Sequence, residues 1–94
     1  MERIEEIQVR LSDMKHAEKV QELFGRYCHE DWAGSACRLY SSMKAENDWA
    51  VIIEWGRVPS PEAMEVQREL LIWNLEILGQ VNRTLWQGYG EYPI

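Results

Sequence analysis

The chain has 94 residues, 46% of them hydrophobic, with five Trp and four Tyr, a composition that supports one packed core and leaves no length for two. Its net charge is −6 and its Lys and Arg are scattered singly, which argues against a nucleic-acid partner or an anionic membrane surface, since both require a basic face. No apolar run approaches the ~20 residues that cross a bilayer, and the start MERIEEIQVR has neither the basic opening nor the apolar core of a signal peptide, so a cytoplasmic protein is expected.

In ERIEEIQVRLS, Ile7, Val9 and Leu11 alternate with Glu6, Gln8 and Arg10, the period of a half-buried strand. Ser12 or Asp13 then offers a short side-chain oxygen to the free amides of a first helical turn. Ala17, Val20, Leu23, Phe24, Tyr27 and Cys28 recur at spacings of three and four, which predicts a helix to about Glu30. After the loop DWAGS, ACRLYSS alternates again, Cys37 and Leu39 against Arg38 and Tyr40, and the turn-like KAEND joins it to WAVIIEW as an antiparallel hairpin. Ser60, Pro61 and Glu62 combine an N-cap, a proline where no N–H is needed and an acid on the helix dipole. The helix they open is expected to bury Ala63, Val66, Leu70, Leu71, Ile77 and Leu78 and to end at Gly79 as its cap. QVNRTLWQGYGEY, rich in Thr, Trp and Tyr, reads as a last strand.

The order is β-α-β-β-α-β. Two right-handed crossovers joined by a hairpin predict one ferredoxin-like α+β domain over residues 1–94, a four-stranded antiparallel sheet with both helices on one face. The other face then carries Trp, Tyr and branched residues that a monomer would leave wet, so a homodimer is expected, its open sheet faces packed on each other as a dimeric α+β barrel. Trp49, Val51, Ile53 and Trp55 share one face of the third strand and Ala50, Ile52 and Glu54 the other. Alternation alone leaves open which of the two looks at the helices.

The segments ACRLY, WAVIIEW and SPEAM, in that order, resemble the antibiotic biosynthesis monooxygenase-like family of dimeric α+β barrels. Leu39-Tyr40, Glu54-Trp55 and Ser60-Pro61-Glu62-Ala63-Met64 hold the places of that family's strand ends and helix opening. The resemblance implies a small pocket between sheet and helices, used in some members for cofactor-free oxidation of phenols or quinols and in others for haem degradation. The haem-degrading branch carries an Asn on the first strand and a Trp and a His on the second helix. Here the first place falls on Ile7 or Gln8, and the helix has Trp73 and Asn74 but no histidine, His16 and His29 both coming earlier. No cofactor is therefore expected.

Glu54 has two readings: a general base in a dry pocket, or a cross-strand ion pair with Arg38 or Arg10. Asn74 stands in an otherwise apolar helical stripe (67, 70, 71, 74, 77, 78), and a buried amide requires partners, either a ligand or the backbone. Tyr40, Trp55 and Trp73 are the aromatic candidates to flank a flat ligand, against the plainer reading of core or interface packing. Cys28, His29 and Cys37 lack the spacing of a zinc site, so no metal is expected and the two cysteines are read as reduced thiols. The resulting expectation is a homodimer that binds a small, flat, apolar molecule, with Glu54 and Asn74 as candidate catalytic groups for cofactor-free oxygenation. The alternative is a non-catalytic ligand-binding or assembly module.

Overall fold

Alternate side chains of the first strand meet opposite environments: Ile7, Val9 and Leu11 are buried while Gln8 and Arg10 stand in solvent. The computed structural model of the protein describes residues 3–28, 36–55 and 61–88, the side chains at positions 3, 55, 61–64 and 67 excepted. In chain order it contains β1 (Arg3–Leu11), a 3-10 turn (Met14–His16), α1 (Ala17–Tyr27), β2 (Ala36–Ser41), β3 (Asp48–Trp55), α2 (Pro61–Leu78) and β4 (Gly79–Gln87). The expected element order is observed.

The sheet order is β2-β3-β1-β4, every pair antiparallel. Thus β1 and β2 run parallel with β3 between them, and β3 and β4 run parallel with β1 between them. Each helix supplies one of the crossovers of a ferredoxin-like fold. Register settles which face of β3 meets the helices. Val51 lies opposite Ile7 and Leu39, Ile53 opposite Glu5 and Cys37, and Trp49 opposite Val9 and Ser41. Trp49, Val51 and Ile53 are therefore on the helix side, while Ala50, Ile52 and Glu54 lie on the open face.

Val20 and Leu23 of α1, and Leu71, Ile72, Leu75 and Leu78 of α2, close one core over Ile7, Val9, Leu11, Val51 and Ile53. Burying each such side chain contributes roughly 1.5–3 kcal/mol, so tertiary packing holds α2 in place more than its intrinsic propensity does. The expected buried side of α2 is corrected in part. Leu71 and Leu78 are inside, but Val66 is 58% and Ile77 74% exposed. The helix carries apolar residues on two stripes at helical spacing, and the sheet takes the one containing Leu71, Leu75 and Leu78.

Two capping expectations also change. Asp13 caps the 3-10 turn through the Lys15 amide at 3.0 Å, and α1 proper begins only at Ala17 and ends with Cys28 as its cap residue. Ser12 serves the other helix, its N–H and its hydroxyl both donating to the Leu78 carbonyl at 3.0 Å. Gly79 is the first residue of β4, and a Cβ there would lie 2.0 Å from the Arg10 carbonyl oxygen; close backbone approach is what requires glycine. The first helix, expected to run to about Glu30, stops at Tyr27, because the extended backbone of Cys28 ends it, and the Ser60 N-cap falls outside the described residues. Among the described residues, no helix is long and apolar enough to cross a membrane.

Candidate functional site

Rows of side chains cross the helix side of the sheet. The first runs Cys37, Ile53, Glu5, Leu85, and the next Leu39, Val51, Ile7, Arg83. Glu5 is the surprise among them. It continues the apolar alternation of Ile7, Val9 and Leu11 one step toward the start of β1, and it is 97% covered, as its 3% exposure shows. A carboxylate so placed requires cationic or hydrogen-bonding partners, because desolvation of an unpaired charge is very costly. Arg68 of α2 donates to Glu5 Oε2 at 3.0 Å and Arg83 of β4 to Oε1 at 3.4 Å. Arg83 also reaches Glu69 at 3.3 Å, and Arg68 lies 3.5 Å from Glu65 and from Glu69. This network ties β1, β4 and the first half of α2 together around one buried acceptor.

Sequence reasoning passed over Glu5. The signal was present, since strict alternation from Ile7 places position 5 on the buried face. Arg68 was legible by the same logic, three residues before Leu71 on the buried stripe of α2.

Glu54 and Asn74 lie on opposite sides of the sheet. Glu54 pairs with Arg38 on the open face, Arg38 Nη1 to Oε1 at 2.8 Å, the cross-strand pair foreseen as one of its two readings. The hydrogen bond and the charge of Glu54 raise the Arg38 pKa above its ordinary value. Arg10, the other foreseen partner, binds Asp48 instead, its direct neighbour in register, at 2.8 and 3.1 Å. That contact holds the Asp48 carboxyl below its usual range. Asn74 is half-buried on α2, its amide donating to the Leu70 carbonyl at 2.8 Å and reaching the Tyr27 hydroxyl of α1 at 3.4 Å. Backbone and a neighbouring helix thus satisfy it.

The aromatic candidates are likewise dispersed. Tyr40 stands on the open face, at a shallow depression of about 350 Å³ lined chiefly by Gln8, Arg10, Asp48, Ala50, Gln80 and Asn82. Trp73 lies on the outer side of α2, 67% exposed, over a groove of about 520 Å³ with Val66, Leu70, Glu65 and Glu69. The Trp55 side chain is outside the described residues. On the helix side, Trp49 buries its indole N–H, which meets no acceptor among the described residues. No three His, Cys, Asp or Glu side chains gather into a metal-binding cluster among the described residues.

Chemically, the helix side therefore offers a water-poor carboxyl group flanked by two guanidinium groups beside an apolar row. Such a group can accept a hydrogen bond or a proton from a phenol, and its arginines can stabilise a negative charge that develops nearby.

No family model matches the sequence, and no curated protein is similar to it at the level of sequence. Solved structures do share the architecture. SnoaB, a cofactor-independent oxygenase from Streptomyces nogalater studied as its N63A mutant, is 13% identical, with 99% of this chain and 98% of that one covered and a TM-score of 0.66. A structure of an antibiotic biosynthesis monooxygenase is 12% identical over 96% of this chain and 100% of the other, with a TM-score of 0.65. A dimeric ferredoxin-like protein from an uncultured marine organism is 11% identical, covering 99% of this chain and 92% of its own, with a TM-score of 0.66.

Proposed function

On the premise that this chain has the fold of the antibiotic biosynthesis monooxygenase-like proteins, we propose that it is a homodimeric α+β barrel that binds a small, flat, largely apolar phenol or quinol on the helix side of its sheet and oxidises it with O₂ without a cofactor. The observation that carries this reading is Glu5, a buried carboxylate held by Arg68 and Arg83 within an otherwise apolar layer. The dimer is supported by the dimeric ferredoxin-like neighbour and by Ile4, Tyr40, Ile52 and Trp86, which the register places together on the open face.

In the proposed reaction, Glu5 accepts the proton of an acidic C–H or O–H, and the arginines stabilise the resulting enolate or phenolate. The substrate anion supplies the electrons that reduce O₂. One oxygen atom joins the substrate carbon, and the peroxide so formed loses the other as water, converting a methylene carbon to a carbonyl. No group on the protein changes oxidation state. Asn74 is assigned to orienting Tyr27 at the seam between the helices, and the Glu54–Arg38 pair to the open face where the two copies meet.

Oxygen consumption measured with anthrone-like and quinol substrates tests the reading. Wild-type protein is expected to exceed the blank, and Glu5→Gln to lower kcat by about 10²-fold, as removal of a general base does. An absence of uptake across the panel would eliminate the oxygenase, and full activity in Glu5→Gln would move the chemistry to another residue.

A further inference from the structure

The helix α2 has two apolar faces, and the sheet uses one of them. Leu71, Leu75 and Leu78 enter the core, while Val66, Trp73 and Ile77 stand exposed and Leu70 is half-buried on the other side. The spacings of four, three and four from Val66 to Ile77 are those of a coiled-coil seam, with Val66 and Trp73 in the d places and Leu70 and Ile77 in the a places. At ~1.5 Å per residue the seam runs about 16 Å, or roughly three helical turns. Its first half borders the groove of about 520 Å³ beside Trp73.

The charges beside this seam have one sign. In the same register Glu69 and Glu76 occupy the g places, and Glu65 lines the groove as well. All three are exposed, although Glu65 and Glu69 also reach Arg68, and Glu69 reaches Arg83. The one basic residue of α2, Arg68, is turned inward to Glu5. Residues beside a seam select the partner, because their long side chains pair across the interface. A second copy does not fit. An antiparallel one would set Glu69 and Glu76 against the same glutamates, and a parallel one would set Glu69 opposite Asn74, which carries no charge. The same row repels an anionic membrane surface.

We propose that the outer face of α2 docks a basic amphipathic helix of another protein, whose apolar seam packs on Val66, Leu70, Trp73 and Ile77 and whose lysines or arginines pair with Glu69 and Glu76. Trp73 is the anchor, since an exposed tryptophan among smaller apolar side chains offers the largest area that association can remove from water. The surface is independent of the oxygenase reading. None of the four seam residues takes part in that reaction, so peptide binding and oxygen uptake can fail separately.

The test titrates the native full chain into a fluorescein-labelled, three-heptad peptide with Leu at its a and d places and Lys at e and g, whose like charges oppose self-pairing, and reads anisotropy. Saturable binding in the micromolar range is expected, weakening as salt is added. The same peptide with Glu at e and g should not bind. Trp73→Ser, which leaves the net charge unchanged, should weaken binding by about 10-fold or more, as loss of a central interface tryptophan does. Glu76→Lys should also weaken it, and Tyr40→Ser on the open face should leave it unchanged, with circular dichroism showing all three variants folded. No binding, binding that ignores Trp73→Ser, or equal binding of the Glu peptide would each overturn the proposal. So would Trp73-dependent association of the chain with itself in light scattering, or with phosphatidylcholine vesicles in flotation, which would assign the stripe to a second copy or to lipid.

Discussion

Glu5 shows how a single position can outweigh its neighbours. Breaking a buried ion pair by removing one partner costs about 3–5 kcal/mol, because the surviving charge is left uncompensated. Glu5→Ala is therefore expected to lower the melting temperature by more than ~10 °C, whereas Glu5→Leu combined with Arg68→Met should recover most of the loss, as thermal denaturation would show. The glycines separate in the same experiment. Gly79→Ala forces a methyl into the Arg10 carbonyl and should destabilise by roughly 2 kcal/mol or more, the size of an overpacking clash. Gly25 of α1 has nothing within 4 Å of a built Cβ, so Gly25→Ala is expected to stabilise by about 0.5–1 kcal/mol through better helix propensity. Asp48 provides a pH signature. Its carboxyl titrates below the ordinary value of 3.8 in the folded chain, through the hydrogen bond from Arg10. The contribution of the pair is thus present above the unfolded pKa and disappears as pH falls through the lower folded value. Melting temperatures measured across acid pH at low salt should fall more steeply for wild type than for Asp48→Asn, and added salt should narrow the gap.

Among the elements, α2 carries the most consequential ambiguity. Val66, Leu70, Trp73 and Ile77 form one apolar stripe at spacings of four, three and four, and Leu71, Leu75 and Leu78 form another. Only the second meets the sheet. Leu75→Ala is accordingly expected to cost about 2–5 kcal/mol, while Trp73→Ser, at an exposed position, should stay within about 0.5 kcal/mol. Chemical denaturation of the two variants distinguishes them, and equal losses would mean that the outer stripe is covered in solution. At the edges of the sheet, β2 and β4 expose their outer sides. Trp86 of β4 keeps a polar anchor there, its indole N–H donating to Glu6 at 3.0 Å.

For the whole molecule, the proposed dimer would form through the open face. Its register rows mix apolar residues with ions: Ala36, Glu54, Ile4 and Trp86 in one, Arg38, Ile52, Glu6 and Thr84 in the next, then Tyr40, Ala50, Gln8 and Asn82. Such a surface suits an interface in which charged pairs fix orientation around a few apolar anchors. Light scattering after size exclusion should give twice the 11.1 kDa of one chain. Arg38→Glu, which sets like charges beside Glu54, should shift the mass toward the monomer while circular dichroism remains unchanged. A wild-type monomer at micromolar concentration would contradict the barrel.

The sequence by itself determined the element order, the hairpin, the alternation of the first three strands and hence the ferredoxin-like class, because local periodicity, composition and turn chemistry record how each element presents its side chains. The resemblance in ACRLY, WAVIIEW and SPEAM agrees with the architecture observed. Tertiary structure alone decided which face of β3 turns inward, which stripe of α2 is buried, and that Glu54 meets Arg38 and Arg10 meets Asp48. Periodicity defines faces within an element but not what lies across from them. Pairing register and helix rotation make that choice, and a shift of one residue would exchange the two faces of a strand.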